Sequence, residues 1–145
     1  MKKFIILLFL IVAIVSCKQK IVTADIAKIN GYWEIERVDL PDADHKEYRM
    51  NETYDYFEIK NNIGFRKKVM PQLNGTFLVN DAFENLQVLF ENDKVILEFK
   101  TDFSTMKEEL IEISDEKMIL KNKQNVEYQY KKAAAIDFTK DYEKK

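Results

Sequence analysis

The feature that most constrains this chain is a run of short, alternating apolar segments from residue 31 onward, separated by Asn, Asp and Gly clusters. Segments rich in Ile, Val, Phe and Tyr fall near 31–40, 53–60, 63–70, 76–80, 86–91, 94–101, 106–113, 117–121 and 125–132. After the first, their starts recur about every ten residues, the spacing of an all-β meander, sandwich or barrel. The connections are compact: Asn61-Asn62, Asn74-Gly75, Glu91-Asn92-Asp93, Ser114-Asp115-Glu116 and Asn122-Lys123-Gln124. Such residues accept turn conformations and join sequence neighbours into hairpins. No helical stretch intervenes, so parallel crossovers have no room.

Alternation tells which face is buried. Phe57 and Ile59 oppose Glu58 and Lys60; Leu86, Val88 and Phe90 oppose Gln87 and Glu91. Val95, Leu97 and Phe99 oppose Glu98 and Lys100, and Val126, Tyr128 and Tyr130 oppose Glu127, Gln129 and Lys131. One-sided strands without covering helices must curl or stack, and closure also removes exposed edges. The expected fold is all-β: an antiparallel up-and-down barrel of about eight or nine short strands. Segment 63–70 is the weakest of the nine. Residues 133–145 read as a short helical or frayed tail.

The N-terminus reads as an address. Residues 4–15 are uninterrupted apolar residues behind Lys2 and Lys3, too short to span a bilayer but suited to a secretory signal. Ile14-Val15-Ser16-Cys17 follows, with the only cysteine of the chain. This resembles the bacterial lipobox. The resemblance implies lipidation of the Cys17 thiol, cleavage after Ser16, and further acylation of the new amine, a palmitate-type modification. Several acyl chains make a stable anchor where one is marginal. The division expected is a lipoprotein signal peptide at 1–16, a lipid-anchored linker at 17–29, a barrel domain at 30–132 and the tail at 133–145. Lys18 in place of aspartate, and no acidic cluster after Cys17, favour a periplasm-facing outer-membrane anchor in the bacterial envelope.

Gly31-Tyr32-Trp33 opens the first strand, followed by a long connection at 41–52. This resembles the GxW motif of lipocalins and implies that Trp33 closes the base of the barrel. Thr101-Asp102-Phe103 is similar to the family's second motif. Lys132 stands where the family carries a basic residue that stacks on the tryptophan. Lipobox, GxW and a short all-β body together look like the small lipocalin-like lipoproteins of Bacteroidetes.

Chemistry is sparse. Net charge is −2 and only three residues are arginine, which points away from nucleic acid. The single cysteine and single histidine, His45, offer no transition-metal set. No serine sits in a nucleophile elbow, and three dispersed glycines form no phosphate loop. No enzyme, cofactor or metal is expected. Glu34/Glu36 and Glu108/Glu109 read as solvated outer-face charges, as do Arg66 and Lys68. The loop at 41–47 lacks the pattern of a calcium loop.

What remains is the interior. Phe57, Phe90, Leu97, Phe99, Tyr128 and Tyr130 are the expected lining for a small hydrophobic ligand such as a lipid or fatty acid. The two tyrosine hydroxyls are its polar handles, and Arg37 is a carboxylate partner if the first strand runs without a bulge. The same residues also suit a self-filled core, which makes the chain a structural or interaction lipoprotein whose protein partner the sequence does not name.

Overall fold

A computed structural model describes residues 19–133 except 43, 49 and 50. The signal segment, Cys17 and nearly all of the tail lie outside the described residues.

A 3-10 helix, Thr23–Ile29, precedes ten strands. They are β1 (Gly31–Asp39), β2 (His45–Glu47), β3 (Tyr54–Lys60), β4 (Ile63–Pro71), β5 (Phe77–Val79), β6 (Glu84–Glu91), β7 (Lys94–Lys100), β8 (Thr105–Ile113), β9 (Lys117–Lys121) and β10 (Glu127–Lys132). Every pairing is antiparallel, and β10 returns to β1. Eight strands therefore close a barrel in up-and-down order, with β2 appended to β1 and β5 to β4. The all-β barrel expected from the alternation is the fold observed. The weakest predicted segment is a full nine-residue wall strand. The segment beyond eight is 76–80, whose strand is only Phe77–Val79.

The tight connections follow from residue chemistry. Asn61 and Asn62 both have positive φ, 52° and 63°, as do Asn92 and Asp93, 50° and 61°. Two successive left-handed residues match the twist of a hairpin, and Asn and Asp tolerate that region best after Gly.

The interior is one apolar cluster. Trp33, Phe57, Phe99, Leu97, Met118 and Leu120 are at most 1% exposed. Ile26 and Ile29 of the 3-10 helix join them, so part of the stretch expected to be linker belongs to the core. Asp25 makes that turn: its carboxylate accepts from the Val22 amide at 3.0 Å, and its own amide donates to the Val22 carbonyl at 2.9 Å. An apolar pair three residues apart is too short a pattern to announce itself.

β1 carries a bulge at Glu36. Ile35 opposes Tyr130, but Arg37 opposes the next residue, Gln129. One extra residue reverses the facing of everything beyond it. Arg37 thus points outward, 2.5 Å from Asp39, which also accepts from Gln129. The inward arginine conditional on an unbroken strand does not occur.

Candidate functional site

The two ends of the barrel differ. At the base, Trp33 donates through Nε1 to the Ile29 carbonyl at 2.7 Å. Lys132 Nζ lies 4.3 Å from the centre of the Trp33 ring and donates to the carbonyls of Lys28, at 2.9 Å, and Asn30, at 2.5 Å. Asn30 exchanges two hydrogen bonds with the backbone of Ile59. Burial lowers the Lys132 pKa, opposed by Asp115 in the Ser114–Glu116 turn. The two carbonyls and the ring face replace the water its ammonium gives up. Trp33 therefore occupies the closing position implied by the GxW resemblance, with lysine in the stacking place.

Thr101-Asp102-Phe103 does not join this seal. It connects β7 to β8 at the opposite end, where the Thr101 hydroxyl accepts from the amides of Phe103 and Ser104. Phe103 is 97% exposed. The match was one of residue types alone. The turn that reaches Lys132 is Ser114–Glu116, whose Glu116 carbonyl accepts from the Lys132 amide.

Above this seal, toward the other end or mouth, the inward face carries charge, beginning at Asp55, the cross-strand partner of Trp33. Asp55 of β3, Arg66 and Lys68 of β4, Glu84 of β6 and Glu108 of β8 share the face of Phe57, Leu86, Leu97 and Leu110. Arg66 Nε donates to Glu84 at 2.5 Å, while Nη1 is 3.8 Å from Glu108. The guanidinium stacks 3.9 Å above the Phe99 ring. Burial works against its charge, but Glu84 and the neighbouring oxygens leave its pKa above the ordinary value. Lys68 Nζ approaches Asp55 Oδ1 to 2.5 Å.

Arg66 and Glu108 thus correct the sequence expectation of solvated outer charges: their side chains are 10% and 13% exposed. Strand parity contained the signal. Arg66 and Lys68 share their face of β4 with Gly64, which opposes the core residues Ile59 and Leu86.

Two acceptors here are incomplete. The Asp55 side chain is 1% exposed, yet Oδ2 has no hydrogen-bond partner and Oδ1 has only the misaligned Lys68 ammonium. Glu108 Oε2 is likewise buried without a hydrogen bond. Burial raises the Glu108 pKa, with Arg66 opposing and Asp55 and Glu84 adding to the rise. Burial, and then the Asp55 charge, holds the Tyr130 hydroxyl well above its ordinary value, so it stays protonated beside Asp55.

The six residues expected to line a ligand site are placed differently. Phe57, Leu97, Phe99 and Tyr130 lie in the packed interior. Tyr128 is half-buried nearer the mouth, its hydroxyl 3.4 Å from Asn122 Nδ2. Phe90 shares their strand face but sits at the base rim, 47% exposed, in a groove with Lys20, Ile21 and Val95. It is on the far side of the Trp33 seal from the mouth. The loop at 41–47 holds β2, with His45 Nε2 3.8 Å from Glu47. A polar groove of about 530 Å³, walled by Glu36, Arg37, Tyr48 and Lys131, lies on the outer surface beside it.

No protein-family model matches the chain, and no curated relative does. Among solved structures it is similar to a lipocalin-like protein from Bacteroides uniformis, with 6% identity and a TM-score of 0.47 over 73% of this chain and 99% of that one. It is also similar to an uncharacterized protein from Bacteroides eggerthii, with 12% identity and a TM-score of 0.46 over 72% and 98%. At these scores the identification of the barrel rests on its own strand pairing and closure.

Proposed function

We propose that this chain is a non-enzymatic, lipid-anchored lipoprotein of the bacterial envelope whose barrel takes a small amphipathic ligand through its mouth. One observation carries the reading: among the described residues, the barrel is sealed at one end only. Trp33, Ile29 and Lys132 close the base, whereas the inward-facing Met106 and Lys68 at the other end are 44% and 55% exposed. A container with a closed floor and an accessible rim suits capture of a molecule from one side.

The tether supports the same orientation. Lys20 is paired to Asp93 in the basal β6–β7 turn, and Ile21 packs against the core. Three residues from Cys17 to Lys20 reach about 10 Å at full extension. A lipidated Cys17 therefore holds the base close to the bilayer and points the mouth into the periplasm.

Native mass spectrometry of the purified protein mixed with extracted envelope lipids tests the reading. Retained adducts of one lipid class are the expected outcome; no adduct from any class overturns it. A second reading, a protein-interaction lipoprotein, is favoured by apolar side chains outside the barrel: Leu73, Leu78 and Phe83 are 90%, 59% and 50% exposed. Binding to an envelope protein that Leu78→Ser and Phe83→Ser abolish, without lipid adducts, would favour it instead.

A further inference from the structure

We infer that residues 134–145 dock on the outer wall of the barrel, laying Phe138 and Tyr142 against an aromatic band that crosses β1, β3 and β4. The inference concerns the outside of the wall and stands independently of any ligand in the interior.

The band follows from strand parity. Tyr32 and Tyr56 oppose each other across β1 and β3, and each is next in sequence to a buried residue, Trp33 and Phe57, so both rings face outward. Phe65 of β4 opposes Glu58 and shares that outer face. The Tyr32 ring stacks on Phe77 of β5 with centres 4.3 Å apart, and lies 4.7 Å from Tyr56. Tyr56 to Phe65 is 6.0 Å, and Phe65 to Phe83 is 6.3 Å. The outer positions of a one-sided sheet are ordinarily polar, and a continuous aromatic band there marks a surface that something covers. Phe83 at its far end is still 50% exposed.

The chain itself supplies the cover. Ala133, the last described residue, donates its amide to the Tyr32 carbonyl at 2.9 Å, so residue 134 begins beside the first ring of the band. Ile136, Phe138 and Tyr142 follow. Phe138 and Tyr142 share a face at helical spacing, and Ile136 and Phe138 do so at strand spacing. Residues 134–145 reach about 18 Å even as a continuous helix, which spans the ring-to-ring path from Tyr32 to Phe83. Charge agrees as well. Lys67, outward on β4, lies 5.4 Å and 5.6 Å from the ring centres of Phe65 and Phe83 and makes no ion pair among the described residues. Asp137 and Asp141 adjoin Phe138 and Tyr142 in sequence. A segment tethered at the edge of its own site acts at about millimolar effective concentration, an advantage no free partner has.

A nitroxide attached at Lys140→Cys, in the full chain carrying Cys17→Ala, reads the docking through broadening of backbone amide signals. The amides of Tyr32, Tyr56, Phe65 and Lys67 are expected to lose most of their intensity, and adding Phe138→Ser is expected to restore it. Full intensity across the band, or broadening centred on β7 and β8 instead, overturns the inference. Broadening that Phe138→Ser leaves in place reflects only the point where the chain leaves β10, and overturns it too. Equal broadening of isotope-labelled, nitroxide-free chains mixed with nitroxide-bearing ones makes a second copy the occupant, which also overturns it.

Discussion

The ammonium of Lys132 sits 4.3 Å from the centre of the Trp33 ring, and the same ammonium ties the carbonyls of Lys28 and Asn30 to the end of the last strand. One side chain thus joins the entry segment, the first strand and the closing strand. Trp33→Ala is expected to lower stability by about 3–5 kcal/mol, as for other fully buried large-to-small changes. Lys132→Met should cost about 1–2 kcal/mol through lost hydrogen bonds and the ring contact, while Lys132→Arg should retain most of it. Urea melts of the three variants check this; an unchanged midpoint for Trp33→Ala would contradict the seal.

Gly64 is the glycine that the barrel wall cannot replace. A Cβ built there would lie 1.8 Å from the Glu58 carbonyl oxygen and 2.8 Å from the Ile59 Cα, both backbone atoms that cannot rotate aside. Gly64→Ala is therefore expected to destabilise by about 3 kcal/mol or more, at the upper end for overpacking. Hydrogen exchange should show the loss first in the β3–β4 hairpin. Equal protection of that hairpin in both proteins would count against the close approach.

Much of the fold was legible because barrel strands expose their period directly. Phe57/Ile59, Leu86/Val88 and Val95/Leu97/Phe99 alternate cleanly, and Asn61-Asn62 and Asn92-Asp93 mark the turns. β2 was not legible, since His45-Lys46-Glu47 has no apolar residue and forms only by pairing with Arg37–Asp39. Neither was the facing of Arg37, because a bulge is a property of two strands in register rather than of one sequence. The charged layer was missed for a different reason. Alternation announces itself through apolar residues, whereas Asp55, Arg66 and Glu108 continue the inward series of their strands as charges. Polar residues at inward positions are where a binding site departs from the core pattern.

The tether gives a separable prediction. With Cys17 lipidated, the protein should fractionate with membranes and release a barrel intact from residue 19 onward when cleaved near Lys18. Cys17→Ala should leave the membrane fraction while its thermal melt stays the same, because the core contacts of the described residues start at Ile21. Unchanged partitioning of Cys17→Ala would refute the anchor without touching the barrel.

Glu108 sets the pH dependence of the mouth. Burial raises its folded pKa above the ordinary carboxylate value; Arg66 and Lys68 on β4 oppose this, while Asp55 on β3 and Glu84 on β6 reinforce it. A carboxyl group with a raised folded pKa favours the folded state fully below its unfolded pKa of about 4.3. That contribution is lost as pH rises through the folded value. Once ionised, the group is instead a burden, since Oε2 has no hydrogen bond. Glu108→Gln keeps the shape and removes the charge, and Arg66 still has Glu84 at 2.5 Å. The substitution should therefore stabilise the protein by about 1 kcal/mol at pH 7, the scale of an unsatisfied buried group. The advantage should shrink toward zero below pH 4. Paired thermal melts from pH 3.5 to 8 measure this, and a Glu108→Gln advantage that grows on acidification would reverse the sign of the argument.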